Sequence, residues 1–283
     1  MYRIIEKEKL NDQMTKMVIE APFVARKARA GQFIMLRVND TGERIPLTVA
    51  DYDREKGYVT VIFQKIGKTT MLLDGLGEGD SVLDFVGPLG KATDYTGVKR
   101  AAVIGGGAGC AIAYPQAKAM KEMDIYVDMI AGFRSSDLVI LENEMKEESD
   151  CLIIMTDDGS KGNKGFVTDA LESEILAGKN YDFVIAIGPL PMMKAVCKLT
   201  EKYGIKTVIS MNSYMIDGTG MCGCCRVTVG GEVKFACIDG PDFDGHLVDF
   251  DEAINRSRIY NDQERMVRDE YCNLMKAKVS DNG

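Results

Sequence analysis

Histidine is nearly missing: the 283 residues hold one, His246. That scarcity removes the commonest general acid–base and the imidazole pair that a Rieske iron–sulfur centre requires. Long apolar runs are missing too. No stretch approaches the roughly eighteen consecutive apolar residues of a membrane span, and Met1-Tyr-Arg-Ile-Ile-Glu-Lys7 opens a strand-like alternation where a signal peptide would be apolar. Positive charge is in deficit, with 35 Lys and Arg against 43 Asp and Glu for a net −8, and no basic patch interleaved with aromatics appears. Nucleic acid is therefore not expected as a partner. Several of the eight cysteines stand alone along the chain, which suits a reducing cytoplasm better than a disulfide framework. A hydrophobic content of 46% suffices for a substantial core, expected as two domains and an appendage. With side-chain acid–base groups so scarce, the chemistry is expected to belong to bound cofactors.

Cysteine is concentrated at one place. Asp217-Gly-Thr-Gly-Met-Cys222-Gly-Cys-Cys225 puts three cysteines in four positions of a glycine-rich loop, and Cys237 follows after a short hairpin pattern. Asp217, Cys222, Cys225 and Cys237 fit the plant-type ferredoxin spacing, C-x4-C-x2-C and a distant fourth ligand, if Asp217 replaces the first thiolate. The expectation is a [2Fe–2S] centre, with Gly218, Gly220 and Gly223 folding the loop tightly. Cys224 falls off the spacing. A structural zinc on Cys222, Cys225, Cys237 and either Asp217 or His246 is the alternative ligand chemistry. An aspartate donates less electron density than a thiolate, so it would alter the potential.

Residues 1–95 read as short alternating segments: Tyr2–Lys9, Thr15–Glu20, Gln32–Val38, Pro46–Asp51, Tyr58–Lys65 and Ser81–Val86. Six strands at this spacing predict a small antiparallel barrel. Arg44-Ile-Pro46-Leu47-Thr48 enters one strand, and Gly67-Lys68-Thr69-Thr70 opens a helical stretch. An arginine fork and a turn rich in N–H and hydroxyl donors both suit phosphate; a solvated strand-entry charge is the other reading of Arg44.

From 97 to 210 strands alternate with helices, among them helices over Cys110–Lys121 and Leu138–Lys146 and a strand over Phe183–Gly188, which predicts a parallel sheet covered on both faces with its ligand at the carboxyl ends of the strands. Each strand end carries a candidate. Gly105-Gly106-Gly107-Ala-Gly109 allows close approach of a pyrophosphate; Arg134 follows a second strand; Asp158-Gly159 follows a third; Gly188-Pro189 and Met192 close the set. Arg134 suits a 2′-phosphate and equally an exposed charge, and Met192 suits a pocket wall. Residues 211–245 form the cluster segment. The tail, 246–283, is too short to fold alone. It either packs on its own domains or wraps a partner, with Lys278–Gly283 expected to fray.

Taken in order, these motifs resemble the ferredoxin–NADP reductase superfamily. Its flavin domain has an R-x-Y-S-like strand, a G-x-x-T/S phosphate element and a closing G-P-L-G, here Gly87–Gly90. Its nucleotide domain reads G-G-G-x-G, G-x-R, D-G-S-x-G-x-x-G-x-V and C-G-P-x-x-M-M. The departures are Ile45 where the family usually has Arg, which leaves Arg44 to reach phosphate from a shifted position, and Ile187 in place of the frequent Cys. The resemblance implies FAD in the barrel, NAD(H) in the sheet domain and an electron-transfer role. Among members with a C-terminal cluster loop, the chain resembles the small subunit of NADH-dependent reduced ferredoxin:NADP oxidoreductase, whose first cluster position is also Asp. That likeness implies a larger partner subunit with a second flavin and [4Fe–4S] clusters, and electrons exchanged with ferredoxin through that partner. The electron-transfer subunit of NAD-dependent dihydroorotate dehydrogenase, normally with four cysteines, is the related alternative. A non-catalytic redox-sensing module is the third.

Overall fold

Period-two alternation builds the first third of the chain. The computed structural model describes residues 1–281. In it β1 (Tyr2–Lys9), β2 (Met14–Glu20), β3 (Phe33–Arg37), β4 (Arg44–Asp53), β5 (Tyr58–Gln64), β6 (Ser81–Val82) and β7 (Asp84–Leu89) form one antiparallel sheet in the order β6-β1-β2-β5-β4-β3-β7. Val59, Val61 and Phe63 of β5 point inward and their neighbours outward, as a half-buried strand requires. Leu83 alone separates β6 from β7, yet these two strands lie at opposite edges, so the sheet rolls into a nearly closed barrel. The expected single strand Ser81–Val86 is thus two. Ser81 and Val82 pair with β1, and after Leu83 the chain swings to pair Asp84–Leu89 with β3. The helices α1 (Pro22–Ala25) and α2 (Lys68–Asp74) flank the barrel, and Leu73 of α2 is fully buried.

Continuous apolar runs build the second sheet. Ala101 to Gly106 in β8 (Arg100–Gly106) are buried without alternation, the mark of a strand covered on both faces. With β9 (Tyr126–Phe133), β10 (Cys151–Thr156), β11 (Asn163–Lys164), β12 (Phe183–Ile187) and β13 (Thr207–Ser210) it makes a parallel sheet. The helices α3 (Cys110–Lys121), α4 (Glu142–Glu147), α5 (Val167–Leu176) and α6 (Leu190–Lys202) follow its strands. The helix expected over Leu138–Lys146 is broken. A 3-10 turn at Ser136–Leu138 is separated from α4 by Leu141 at φ +53°, where Ile140 and Leu141 turn inward and are buried; packing there overrides helical propensity.

Residues 211–225 carry no regular element. The hairpin β14 (Arg226–Val229) and β15 (Glu232–Phe235) then leads into α7 (Ala236–Asp239), which holds Cys237. Next, β16 (Asp242–Asp244) joins the parallel sheet antiparallel to β13, so the cluster segment is stitched to the nucleotide sheet by its own backbone. The tail forms α8 (Phe250–Arg256), capped by Asp249, and α9 (Asn261–Asp281); the expectation of fraying concerns, past Asp281, residues outside the described ones. No helix among the described residues is long and apolar enough to cross a membrane.

Candidate functional site

The barrel contributes a groove along β4. Ile45 and Leu47 pack toward the barrel core, while Pro46 and Thr48 lie on the opposite face, as strand alternation dictates. Ile45 to Thr48 are all only half-buried, so this stretch has an open apolar surface. Across the ladder Thr48 pairs with Phe33 and Pro46 with Met35. Arg44 stands at the groove's outer end, 3.5 Å from Asp84, which also binds Arg37 at 2.8 Å. At the start of α2 Lys68 is exposed, and a Cβ on Gly67 would meet nothing within 4 Å. Thr69 is buried, with its hydroxyl 3.4 Å from Glu43. The Thr70 hydroxyl accepts from the Ile66 and Gly67 amides at 3.2 and 3.1 Å, so it serves as the helix cap and has little left for a ligand. An open apolar strand face with polar groups at one end fits a flavin ring and its phosphates.

In the second sheet the strand order reverses between β8 and β12: β9 and β10 lie to one side, β13 to the other. A crevice opens at the carboxyl ends of strands at such a reversal. Gly105–Gly109 and Gly188-Pro189 stand there, and they touch. A Cβ on Gly109 would come 2.3 Å from the Ile187 carbonyl and 2.8 Å from Gly188 Cα, and one on Gly106 would come 2.4 Å from Met192 Sδ. Gly107, at φ +55°, has open space around it, which leaves room for a pyrophosphate. Arg134 is exposed one strand away. The Asp158 carboxylate accepts from the Ser160 amide at 2.9 Å and its hydroxyl at 2.6 Å, which holds it below the usual carboxylate range; Ser160 Oγ in turn accepts from the Ser136 amide at 2.8 Å. This ties the loops after β9 and β10 together. Gly159 sits between them at φ +79°. Gly109→Ala is expected to push β8 and β12 apart at the crevice and weaken NADH binding more than tenfold, by the backbone clash, while flavin content stays normal; NADH titration of flavin absorbance checks it.

The cysteine loop is folded by Asp217. Its Oδ1 accepts from the Thr219 amide at 2.7 Å and its Oδ2 from the Cys222 amide at 3.0 Å. The Thr219 bond, helped by Cys222, keeps the carboxylate ionised below its usual range. Asp217 and Cys222 are therefore one neighbouring pair. Cys225 and Cys237 are the other, both buried with sulfurs 3.2 Å apart. Among the described residues no three His, Cys, Asp or Glu side chains gather about a single point as a mononuclear metal needs. Two pairs suit a two-iron cluster instead, since each iron takes two protein ligands. Metal–thiolate bonds of roughly 2.3 Å set two tetrahedral sulfurs about 3.8 Å apart, a small movement from the distance seen. The Cys222 thiol is lowered by the Cys224 amide, whereas burial pushes Cys237 up to about 12. The expected His246 alternative is not assembled here: its ring lies 3.0 Å from Thr200 Oγ1.

The loop lies against the flavin groove. At Gly218, φ +76°, a Cβ would meet Met35 Cγ at 2.8 Å and Leu89 Cδ1 at 3.0 Å. Phe33 and Met35 share one buried apolar cluster with Cys225, Cys237, Val248, Phe250 and the Met193 face of the nucleotide domain.

Residues 212–249 match the iron–sulfur cluster binding domain of dihydroorotate dehydrogenase B, and 103–198 match the oxidoreductase NAD-binding domain. An electron-transfer subunit homolog of dihydroorotate dehydrogenase B from Thermotoga maritima is 43% identical over 93% of each chain. The electron-transfer subunit from Bacillus velezensis is 34% identical over 82% of this chain and 91% of that one. This chain belongs to the dihydroorotate dehydrogenase B electron-transfer subunit family. A solved structure of NADH-dependent reduced ferredoxin-NADP oxidoreductase, described for flavin-based electron bifurcation, superposes with TM-score 0.91 at 41% identity, covering 96% of this chain and 98% of that chain. The chain is thus an NAD(P)H-linked flavin and iron–sulfur oxidoreductase subunit, with an FAD-binding barrel of the ferredoxin reductase kind.

One functional arrangement in this electron-transfer subunit is invisible to motif reading. Thr93, from the linker between barrel and sheet, is hydrogen-bonded through its hydroxyl to Asp242 of β16, and Gln116 of α3 donates to the same oxygen at 3.2 Å. Tyr95 donates to Gln116. Barrel, nucleotide domain and cluster segment meet at this buried polar knot. The three segments that supply it lie far apart in sequence and belong to no short pattern; only Asp242, five residues past Cys237, stands near a recognisable signal.

Proposed function

We propose that this subunit carries electrons from NADH through FAD to a [2Fe–2S] cluster and on to a larger flavin and [4Fe–4S] partner, as part of a bifurcating NADH-dependent ferredoxin:NADP oxidoreductase. The observation that carries it is the contact of Gly218 with Met35 and Leu89, which sets the cluster loop directly on the flavin groove. A bound flavin would take two electrons as one hydride and pass them on singly, which is the conversion needed between nicotinamide and cluster. The chain's residues arrange the approach. Gly105, Gly106, Gly107 and Gly109, with Arg134, Asp158 and Gly159, would hold the nucleotide phosphates and adenosine; Gly188, Pro189 and Met192 would wall the nicotinamide. Pro46, Leu47 and Thr48 would bed the flavin, and Arg44, Gly67, Lys68, Thr69 and Thr70 would border its phosphates. On this reading 1–95 is the flavin domain, 97–210 the nucleotide domain, 211–245 the cluster segment and 246–283 a partner contact.

Two features support the partner. The cluster loop is rimmed by exposed apolar side chains, Met221 at 88%, Ile216 at 59% and Ile238 at 43% exposure, a pattern typical of a covered interface. The long α9 also exposes Met266 and Val267. All eight cysteines are free, consistent with a reducing cytoplasm. Anaerobic NADH should bleach the flavin and then reduce the cluster in the isolated subunit; bleaching without cluster reduction would refute the relay. Dihydroorotate oxidation by the native complex would favour the related dehydrogenase.

Asp217 is proposed as the first cluster ligand. Asp217→Asn keeps an acceptor for the Thr219 amide but removes the anion. It is expected to shift the cluster's EPR signal and raise its potential; an unchanged signal and potential would show that Asp217 only braces the loop.

A further inference from the structure

A hollow of about 560 Å³ opens on the barrel, lined by Arg26, Lys27, Arg29, Gln32 and Arg54, with Pro88 and Ala92. It holds four cations on a chain of net charge −8. Among the described residues none of the four forms an ion pair, although most other barrel lysines and arginines do. One of the four is anchored. Arg54 stacks 4.6 Å over the Tyr52 ring and donates to the Ala28 carbonyl at 3.1 Å. Gln32 is fixed at both ends, donating to Gly90 O at 2.9 Å and accepting from the Arg29 amide at 3.1 Å. Cations without counter-charges, one of them anchored, in a concavity of ligand size suit an anion.

The hollow is separate from the sites described above. Arg54 lies just past the end of β4, six residues beyond Thr48 and ten beyond Arg44, at most about 20 and 33 Å away at about 3.3 Å per residue. Its four cations are none of the residues assigned above to flavin, nucleotide or cluster, although Gln32 accepts from the Val49 amide at 3.0 Å and Pro88 lies in the Gly87–Gly90 turn, so the hollow adjoins the barrel strands.

We propose that this hollow is a second anion site, which takes a small molecule carrying a pyrophosphate or longer polyphosphate group. Three guanidinium forks and an ammonium match adjacent phosphates better than a single carboxylate. The size argues for a small molecule: seven residues line the hollow, whereas a protein partner covers roughly 20–30 a side. A ligand there would bridge α1, the entrance to β3 and the end of β4 to the Pro88–Ala92 segment, which runs directly into Thr93.

Isothermal titration of inorganic pyrophosphate into flavin-loaded protein saturated with NAD+ tests this, since the other phosphate sites are then filled. Saturable one-to-one binding is expected, at least tenfold tighter than inorganic phosphate. The Arg29→Glu/Arg54→Glu pair should weaken it at least tenfold, and Arg26→Glu/Lys27→Glu should do so without touching the Arg54 anchor. Both variants should keep NADH-dependent flavin reduction, and both should lose the rise in melting temperature that pyrophosphate gives the parent. A nucleoside triphosphate that binds more tightly than pyrophosphate would show that a base adds contacts, within the same proposal. No saturable binding below 10 mM, binding unaffected by either variant, or binding of an acidic protein but not of pyrophosphate would each overturn it.

Discussion

Cys237→Ser is expected to leave the flavin bound and reducible by NADH while cutting single-electron delivery by at least a hundredfold. On the proposed ligand set Cys237 and Cys225, buried with their sulfurs 3.2 Å apart, would share one iron, so neither would hold it without the other. Serine preserves the volume but offers a hydroxyl that ionises far less readily than a thiol. The rest of the loop should survive, because its fold rests on Asp217 accepting the Thr219 and Cys222 amides and on glycines at positive φ. Iron and sulfide should therefore fall to near zero in a folded flavoprotein. The readouts separate cleanly: NADH–dye reduction through the flavin stays near the parent value, and reduction of the partner or of a one-electron acceptor specific to the cluster fails. Cys224→Ser is the matched control. Cys224 lies on the same loop, only half-buried, and its carbonyl accepts from Arg256 at 3.1 Å, a bond that the substitution leaves in place. Full cluster content in Cys237→Ser would remove this ligand set.

The cluster loop, the glycine turns and the strand–helix alternation were legible because each rests on local pattern. Ligand spacing, a turn at a strand end and an apolar run speak through neighbouring residues. The helix α3 at Cys110–Lys121 and the crevice strand β12 at Phe183–Ile187 fall where the apolar runs place them. What failed was decided over distance. Leu83 splits a strand because β1 and β3 stand at opposite edges of the same sheet, and nothing in Ser81–Val86 encodes that closure. The break at Leu141 reflects a core pulling two residues inward. The pairing of Arg44 with Asp84, forty residues away, is a further contact that depends on the folded neighbourhood. β16 depends on it too: the three residues Asp242–Asp244 are too few to carry a strand pattern of their own and become an edge strand because β13 offers an unpaired side.

That edge strand carries the second large effect. Asp242 is expected to make the chain less stable as pH rises, and Asp242→Asn to abolish the dependence. The Thr93 hydroxyl has one hydrogen yet lies within bonding distance of both Asp242 Oδ2 and Gln116 Oε1. A proton on Asp242 resolves the conflict: the carboxylic acid donates to Thr93, and Thr93 donates to Gln116. Burial pushes the Asp242 carboxyl above the usual range, against the opposing pull of Thr93, Ser210 and Gln116, and its Oδ1 is sealed from solvent without a partner. An acid whose folded pKa lies above its unfolded value contributes its stabilisation in full below the unfolded value, near 3.8, and loses it as pH rises through the folded one. The knot is therefore tightest in acid and loosens as the solution becomes more alkaline. Asparagine keeps a donor and an acceptor and cannot ionise, so its melting temperature should stay flat over the range where the parent's falls. Asp242→Ala instead leaves the Gln116 N–H without this acceptor at every pH, at a cost on the order of 1–3 kcal/mol. Because β16 joins the cluster segment to the nucleotide sheet while Thr93 leads from the barrel, this loss should also slow cluster reduction without changing NADH reduction of the flavin. An asparagine variant as pH-sensitive as its parent would place the titrating group elsewhere.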